Sequence, residues 1–415
     1  MNTKRLWGGV CALALVIGMT GNACAEGFAL TDWGARGTGL VGGMVGRADD
    51  PSAVAHNPAG ITQLPGTQML VGATAITPRG EISTIGSSGL EQTTKADEHC
   101  WLNPHAFLTR QLSDSFWFGL GLYSRFGLGD SFPHGWPGSS NLVEIKLKTF
   151  SVNPNIAWKV NDNLSLAFGV ELMGGAVTLR RGYDLSSMGG PYQGQRLKGD
   201  GIAAGFNAAL HYRFNEQWAV GLTYRSKMDL DLSGTNRWDY QLSQINPMFT
   251  NSDVNATLHL PDSITFGLTW KPLPNLSFEA GTVYTVWSRY KHLNINMEGP
   301  LNQSVYAEKK WKDTWAFNFS TEYKPLDWLA LRAGYSYETS PMNEGTYDYM
   351  TPTNGRHRMA VGAGFNWDNW NVDLAYGYII VNELHYPGRA KDYVYPGSSE
   401  DVSSHVFALS VGYKF

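Results

Sequence analysis

Apolar and polar residues alternate along most of the chain from about residue 69 onward. In residues 164–172 and 407–415 every second residue is apolar, and small or polar residues stand between them. The same period recurs in residues 218–224, 315–319, 329–337, 359–367 and 370–378. A period of two places successive side chains on opposite faces of a β-strand. The sequence therefore predicts an all-β protein made of amphipathic strands.

Turn-forming residues separate these strands, and short connections alternate with long ones. The short ones are residues 113–114, 160–163, 215–216, 272–275, 325–327 and 368–369. The long ones lie near residues 78–104, 126–141, 182–195, 234–253, 298–305, 340–354 and 383–402. This alternation is typical of bacterial outer-membrane barrels, whose short turns face the periplasm and whose long loops face outward. It predicts a transmembrane antiparallel β-barrel of about 14 strands in the outer membrane.

Tryptophans stand near the ends of several predicted strands. They are Trp218, Trp287, Trp311, Trp328, Trp367 and Trp370. Such rings concentrate at the two membrane–water interfaces of a spanning protein, so all six are expected in interfacial girdles. A soluble β-sandwich is the alternative, but it explains neither the aromatic residues beside the turns nor a chain that ends on the aromatic strand residue Phe415.

The N-terminal residues have the composition of a secretory leader. Lys4 and Arg5 precede an apolar run over residues 6–19, and Ala23-Cys24-Ala25 resembles a cleavage site. We expect residues 1–25 to be a signal peptide. A lipoprotein acylated at Cys24 is the alternative, although Gly21 stands where a bulky apolar residue is usual. The later sequence has no apolar run of the ~18 to 20 residues that a membrane helix needs.

Composition removes several other classes of function. The net charge of -4 favours neither nucleic acid nor an anionic surface as a partner. Two of the three cysteines lie in the leader, so Cys100 alone remains for the exported protein. An intramolecular disulfide and a cysteine-based metal site are therefore excluded, and we predict no cofactor and no metal. His211, His259, His357 and His405 show no catalytic spacing, so no enzymatic activity is predicted.

Residues 26–66 do not follow the strand period. Glycines recur there, and Asn57-Pro58-Ala59-Gly60 follows near the end of the segment. We expect a compact hatch, or plug, inside the lumen of a barrel formed by residues 67–415. A disordered periplasmic tail is the alternative, but apolar residues such as Phe28, Leu30 and Trp33 are uncommon in disordered segments.

The stretch GRADDPSAVAHNPAGI at residues 46–61 closely resembles the hatch of the outer-membrane long-chain fatty-acid transporter family, the FadL type, which also includes OmpP1 and TodX. The family signature corresponds to Asn57, Pro58 and Ala59. Further similarities lie at residues 118–132, 222–226, 260–261, 284–288, 312–313 and 340–341. The resemblance covers nearly all of the chain after the leader.

The resemblance implies a monomeric channel for passive uptake of long-chain fatty acids or similar hydrophobic compounds. Release would be lateral, through a gap at a kinked third strand over residues 118–132, with Phe126 and Gly127 at the bend and Asn57 facing it. Two alternatives stay open. One is a transporter specific for aromatic hydrocarbons, and the other is a plugged surface or adhesion barrel without a lateral gap.

The resemblance also implies substrate-binding residues. Phe28 corresponds to a phenylalanine of an inner pocket. Phe132, Trp136 and Leu142 would form one wall of an outer apolar groove, and Leu185, Met188 and Tyr192 the other. Arg181 corresponds to an arginine that meets a fatty-acid carboxylate, but Ala307 falls near the position of its companion lysine, with Lys309 and Lys310 just beyond. A carboxylated substrate is therefore not required by the sequence.

The implied partners are a hydrophobic small molecule, lipopolysaccharide with the surrounding outer-membrane lipid, and the barrel-assembly machinery. The terminal Phe415 is the expected contact with that machinery.

Overall fold

A computed structural model describes residues 27–86, 89–240, 246–298 and 303–415. The expected signal peptide lies outside the described residues. The strands are β1 (Thr67–Ile85), β2 (Glu91–Lys95), β3 (Trp101–Gln111), β4 (Phe116–Tyr123), β5 (Gly127–Ser131), β6 (Glu144–Lys159), β7 (Leu164–Tyr183), β8 (Gln193–Arg213), β9 (Trp218–Arg225), β10 (Met228–Trp238), β11 (Ser252–Leu260), β12 (Ser263–Leu273), β13 (Leu276–Thr285), β14 (His292–Glu298), β15 (Gln303–Glu308), β16 (Thr314–Leu326), β17 (Leu329–Glu338), β18 (Arg356–Trp367), β19 (Trp370–Val381), β20 (Leu384–Tyr386) and β21 (Gly397–Lys414).

Two short α-helices precede the strands, α1 (Ala35–Gly39) and α2 (Ala53–His56). The 3-10 helices are Pro58–Gln63, Ser186–Met188, Pro247–Phe249, Trp287–Arg289, Glu344–Thr346 and Ala390–Asp392. None of the helices in the described ranges is long and apolar enough to cross a membrane.

The strands form one closed antiparallel barrel of 14 strands. Five barrel strands are interrupted and consist of two segments each, namely β4 with β5, β9 with β10, β11 with β12, β13 with β14 and β15 with β16. The ring closes because β1 pairs with β3 on one side and with the last strand, β21, on the other. The predicted fold class and strand number are confirmed.

The strands extend further at the long-loop end than the sequence predicts. Residues 78–85, expected in a loop, belong to β1, and residues 127–131 belong to β5. These residues carry fewer alternating apolar side chains than the lower parts of the strands, so their pattern gives little sign of a strand. At the other end the short turns lie where they are predicted.

Outward and inward side chains alternate as the period of two requires. On β7, Phe168, Val170 and Leu172 are exposed on the outside, whereas Glu171 and Met173 are buried inside. Trp218 and Trp270 stack on the outer surface beside the short turns, with ring centroids 5.6 Å apart.

The prediction that all six tryptophans lie in interfacial girdles is wrong for two of them. Trp287 and Trp311 are buried and pack on each other inside the barrel, with ring centroids 4.9 Å apart. The 3-10 helix Trp287–Arg289 breaks the strand period between β13 and β14, and Trp311 lies in the irregular residues 309–313 between β15 and β16. The parity of a strand therefore no longer determines where these rings point.

Residues 27–66, called here the inner segment, pack against the inside of the barrel on all sides. Helix α1 contacts β17, β18, β19 and β21, and the 3-10 helix Pro58–Gln63 contacts β4, β6, β7 and β8. The buried Glu279 carboxylate accepts the backbone N–H groups of Val45 at 2.8 Å and Arg47 at 2.9 Å. Inward carboxylates of the wall thus satisfy backbone donors of a segment that has few regular hydrogen bonds of its own.

Candidate functional site

The third strand of the barrel breaks between β4 and β5. Tyr123 pairs with Ser151 and Gly127 pairs with Lys148, so four steps along this strand face three steps along β6. One extra residue in a strand cannot enter the ladder and forces a local bend. Residues 124–126 leave the sheet and turn inward, where they are buried. The bend thus lies immediately before Gly127, which is the first residue of the strand that resumes.

Backbone hydrogen bonds tie the bend to the inner segment. The N–H of Leu30 donates to the carbonyl of Arg125 at 2.8 Å, and the N–H of Gly127 donates to the carbonyl of Phe28 at 2.7 Å. On the wall side, the Thr149 hydroxyl donates to the carbonyl of Phe126 at 2.6 Å. The groups released by the break therefore find partners in residues 28–30, which act as a short additional strand.

The break leaves part of β3 without a neighbour. Residues 106–111 of β3 pair with β4, but within the described chain no strand pairs with residues 101–105 on that side. Beyond the opening, Asp97 N–H donates to the Ser131 carbonyl at 2.8 Å and closes its upper end. The hydrogen-bond ladder between β3 and β5 is therefore interrupted over residues 101–105, and this interruption is called here the gap.

The indole of Trp101 lies in this gap. A Cβ at Gly129 would stand 2.7 Å from a ring carbon of Trp101, so any larger residue at this position of β5 requires the indole to move. The ammonium group of Lys146 lies 5.5 Å from the ring centroid. A single aromatic side chain thus covers part of the gap.

A buried carboxylate holds the bend in place. Glu171 of β7 lies 3.4 Å from the Nη1 atoms of both Arg125 and Arg225, and it accepts the Ser151 hydroxyl at 2.7 Å. Arg225 of β9 also donates to the Ala55 carbonyl in α2 at 2.5 Å. Arg125, Glu171 and Arg225 therefore form a buried network of charge-assisted hydrogen bonds that connects the bend to the inner segment. No sequence motif predicts this contact.

The signature residues of the inner segment lie next to this connection but do not touch the bend. Asn57 donates through Nδ2 to the carbonyls of Val45 at 2.8 Å and Leu210 at 3.1 Å, and its Oδ1 accepts the N–H of Ala59 at 3.1 Å. Pro58 and Ala59 begin the 3-10 helix that Asn57 caps. Asn57 thus faces β8. Its connection to the bend is indirect, because Asn57 directly follows α2 and Arg225 contacts α2.

An apolar cavity lies beside the bend, on the long-loop side of the inner segment. Most of the residues in its walls are aliphatic. They include Leu128, Ile145, Leu147, Val177, Leu179, Leu197, Leu232, Val254, Leu258, Leu293 and Ile295. Phe28 forms its inner end and is surrounded by the rings of Trp287, Tyr290, Trp311 and Phe126, with centroids 4.7 to 6.2 Å away. The resemblance implies an inner pocket at Phe28, and in the structure Phe28 lines this cavity.

Lys309 is the cation at the edge of this cavity. Its side chain is buried, forms an ion pair with the buried Asp348, and lies 5.8 Å from the centroid of the Tyr290 ring. Lys309 stands two residues beyond Ala307. Lys309, one of the two lysines just beyond Ala307, thus borders the cavity, and a carboxylate of the protein already neutralises it.

Arg181 lines a different, more polar cavity nearer the long loops. This cavity, called here the vestibule, is also lined by Trp238, Ala307, Asp348 and Met350. The Nε of Arg181 donates to the Asn141 carbonyl at 3.1 Å. Met350 lines both the vestibule and the apolar cavity, so the two spaces adjoin each other.

The residues expected in an outer groove are mostly packed into the protein. Phe132, Trp136 and Leu142 are buried, with the Trp136 ring 4.4 Å from that of Phe132 and its Nε1 donating to the Leu142 carbonyl at 2.6 Å. Leu185 contacts Gly190 within its own loop. Met188 ends the 3-10 helix Ser186–Met188, and its side chain lies outside the described part. The structure does not show these two groups facing each other across a groove.

His56, the last residue of α2, is buried beside the Trp33 ring, with centroids 5.4 Å apart. Burial lowers its pKa from 6.5 to about 4, so it is neutral at pH 7.

In the unfolded segment the His56 imidazole binds a proton at a higher pH than in the folded one. The contribution of His56 to the stability of the fold is therefore fully present above pH 6.5 and is lost as the pH falls towards 4, by about 3 kcal/mol. Hydrogen exchange of the inner segment, corrected for intrinsic rates, should show this loss. His56→Phe should reduce it, and an unchanged pH dependence would contradict the assignment.

Comparison with known proteins gives the family. Residues 16–415 match the model of the family described as outer membrane protein transport protein, OMPP1/FadL/TodX. The long-chain fatty acid transport protein of Escherichia coli O6:H1 is 24% identical over 97% of this chain and 98% of its own length. Outer membrane protein P1 of Haemophilus influenzae is 22% identical over 88% of each chain.

Solved structures show the same barrel. A Pseudomonas aeruginosa FadL homologue superposes with a TM-score of 0.82, 22% identity and coverage of 94% of this chain and 100% of its own. The Pseudomonas putida toluene transporter TodX gives a TM-score of 0.69 at 17% identity, with 90% and 98% covered. The relatives are named as transport and outer-membrane proteins, which confirms the predicted location in the bacterial outer membrane. The chain belongs to the OMPP1/FadL/TodX family of outer-membrane transporters for hydrophobic compounds.

Proposed function

We propose that this protein is a passive channel for small hydrophobic molecules, which it releases sideways into the membrane, and that its cargo needs no carboxylate. The observation that carries the proposal is the position of the apolar cavity beside a break in the barrel wall. Leu128 of β5 lines the cavity and stands one residue after the first residue of the resumed strand.

Lateral release is physically favourable for such a cargo. Each methylene group that leaves an apolar environment for water costs about 0.8 kcal/mol. A chain or ring that enters water on the periplasmic side would therefore lose several kcal/mol. A path from the vestibule through the apolar cavity to the gap between β3 and β5 avoids this cost. The inner segment serves as the hatch, and the gradient of the cargo drives the transport.

A surface or adhesion barrel would have the same wall but no use for the cavity or the gap. The two functions differ in the response to a bulky residue that fills the cavity.

Val177→Trp should reduce uptake of radiolabelled oleate and toluene at least tenfold, because its side chain lies in the cavity. Val170 stands on the outer face of the same strand, so Val170→Trp is the matched control and should have little effect. Uptake is measured in cells that lack other transporters of this kind. Normal uptake by the Val177→Trp protein, with its barrel folded, would contradict a route through the cavity.

Variants of the ion pair between Lys309 and Asp348 test whether the cargo is neutral or carries a carboxylate. Lys309→Met alone leaves a buried, unpaired carboxylate and should lower the unfolding free energy by about 3–5 kcal/mol. The double variant Lys309→Met/Asp348→Leu replaces the pair by apolar groups and should regain stability. We expect the double variant to take up oleate and toluene at the wild-type rates. A selective tenfold loss of oleate uptake would show that Lys309 binds the carboxylate.

A further inference from the structure

Three arginines stand side by side on the outer surface of the barrel. In the strand register, Arg180 of β7 faces Arg196 of β8, and Arg196 faces Arg237 of β10. Arg196 and Arg237 are exposed, and Arg180 is half-buried. They share the outward face with Leu172 on β7 and Ile202 on β8, since the side chains two positions apart along a strand point the same way.

Like charges directly opposite each other destabilise a sheet. Two successive arginine pairs in one row therefore oppose folding unless an anion lies between them. Glu144 of β6 faces Arg180 and pairs with it at 3.1 Å, as well as with Lys146. This carboxylate neutralises only Arg180, at one end of the row.

The cations at the other end of the row form no ion pair within the described ranges. Within the described ranges, neither Arg196 nor Arg237 forms an ion pair, and neither does Lys198, which stands two positions from Arg196 on the same face. Asp200, Asp239 and Asp253 lie on neighbouring outward positions, yet none of them pairs with a cation in the described chain. The three unpaired cations thus form an open site for an anion of at least two charges.

The height of the row along the barrel indicates the kind of anion. Ile202, 74% exposed, is the last apolar outward residue of β8 before Asp200. Arg196 is six positions further, which is about 20 Å along the strand and, with a tilt of about 40°, roughly 15 Å above the apolar surface. This is the level of a charged headgroup rather than of acyl chains.

From this register and height we propose that Arg180, Arg196, Lys198 and Arg237 form a binding site for the phosphorylated sugar headgroup of lipopolysaccharide in the outer leaflet. Guanidinium groups bind phosphate oxygens in a bidentate manner, so a row of three spans successive phosphates on one headgroup. The site anchors the barrel to its lipid. Of its four residues only Lys198 also borders the apolar cavity, and the variant used in the test keeps Lys198, so the test does not depend on the proposed transport.

Native mass spectrometry of the purified full-length protein, titrated with rough-type lipopolysaccharide that carries core phosphates, tests this site. Arg196→Gln/Arg237→Gln should weaken binding at least tenfold. The matched control is Arg79→Gln/Lys95→Gln, which removes the same charge at the same end of the barrel from residues that pair with Glu98 and Glu81. This control should stay within about twofold of wild type. Heat-modified mobility in gels verifies the fold of each variant.

Two further probes identify the source of the phosphate. Lipopolysaccharide dephosphorylated with hydrofluoric acid should bind the wild type as weakly as the intact lipid binds the arginine variant. Inorganic phosphate alone should compete only at far higher concentration. Equal binding by wild type and Arg196→Gln/Arg237→Gln would overturn the proposal, and so would equal binding of dephosphorylated lipid or of free phosphate. Uptake by the arginine variant should stay at the wild-type level.

Discussion

Deletion of Arg125 alone should reduce uptake of hydrophobic cargo tenfold or more, while the barrel still folds. Strand three has one residue too many between Tyr123 and Gly127 relative to β6. Without that residue, Ser124 and Phe126 can pair with Phe150 and Thr149, and the ladder runs on without a break. The side chains keep their in–out alternation, because Tyr123 stays inward and Gly127 stays outward. Residues 101–105 of β3 then gain a neighbour, and the gap closes.

The control for this deletion is Arg125→Ala. It removes the same side chain but keeps the extra residue, so the bend and the gap should persist and uptake should exceed that of the deletion variant at least fivefold. The measurement is uptake of radiolabelled oleate and toluene at matched surface amounts of folded protein. If deletion and substitution reduce uptake equally, the effect belongs to the guanidinium and not to the strand register, and lateral release at this point is excluded.

Glu171→Gln should lower the unfolding free energy by about 3–5 kcal/mol, the range found when one partner of a buried ion pair is removed. Its carboxylate is the shared counter-charge of Arg125 and Arg225, so the amide leaves two buried guanidinium groups without compensation. Urea-induced unfolding in lipid vesicles, followed by tryptophan fluorescence, measures the change. Uptake should fall as well, because the bend is no longer held against the wall.

Glu279→Gln separates loss of stability from loss of the bend. Glu279 is equally buried and pairs with Arg47 of the inner segment, but it lies on β13, away from the bend. We expect a comparable loss of stability with uptake near the wild-type level. Equal loss of uptake in both variants would show that Glu171 acts by holding the inner segment in general, and not by positioning the bend.

The alternation of side chains was enough to predict the barrel, because one lipid-facing and one inward face impose a period of two on every spanning strand. Residues 164–172 show this period without exception, and they form part of β7 as predicted. The short turns were predictable for the same reason, since Asn, Asp and Pro have defined backbone preferences. The terminal strand, which ends near Phe415, closes the ring with β1.

The candidate site was only partly predictable. The resemblance named Phe28, Asn57 and Gly127, and all three lie in or near the inner segment and the bend. It did not reveal Glu171, whose position on a regular strand looks like any inward polar residue. Trp287 and Trp311 were misplaced because Trp287 lies in a 3-10 turn and Trp311 in an irregular link between β15 and β16, where the alternation of a strand does not apply. Phe132, Trp136 and Leu142 are apolar loop residues, and only the packing of the loops shows that they cover one another.

Alternation and turn chemistry act between near neighbours, so the order of amino acids was sufficient to specify a barrel of amphipathic strands with an irregular N-terminal segment. The three-dimensional fold sets where the ladder is interrupted, because one extra residue in strand three has meaning only against the register of β6. It also decided the charge of the cavity, because Lys309 and Asp348 are 39 residues apart and neutralise each other only once the barrel has closed.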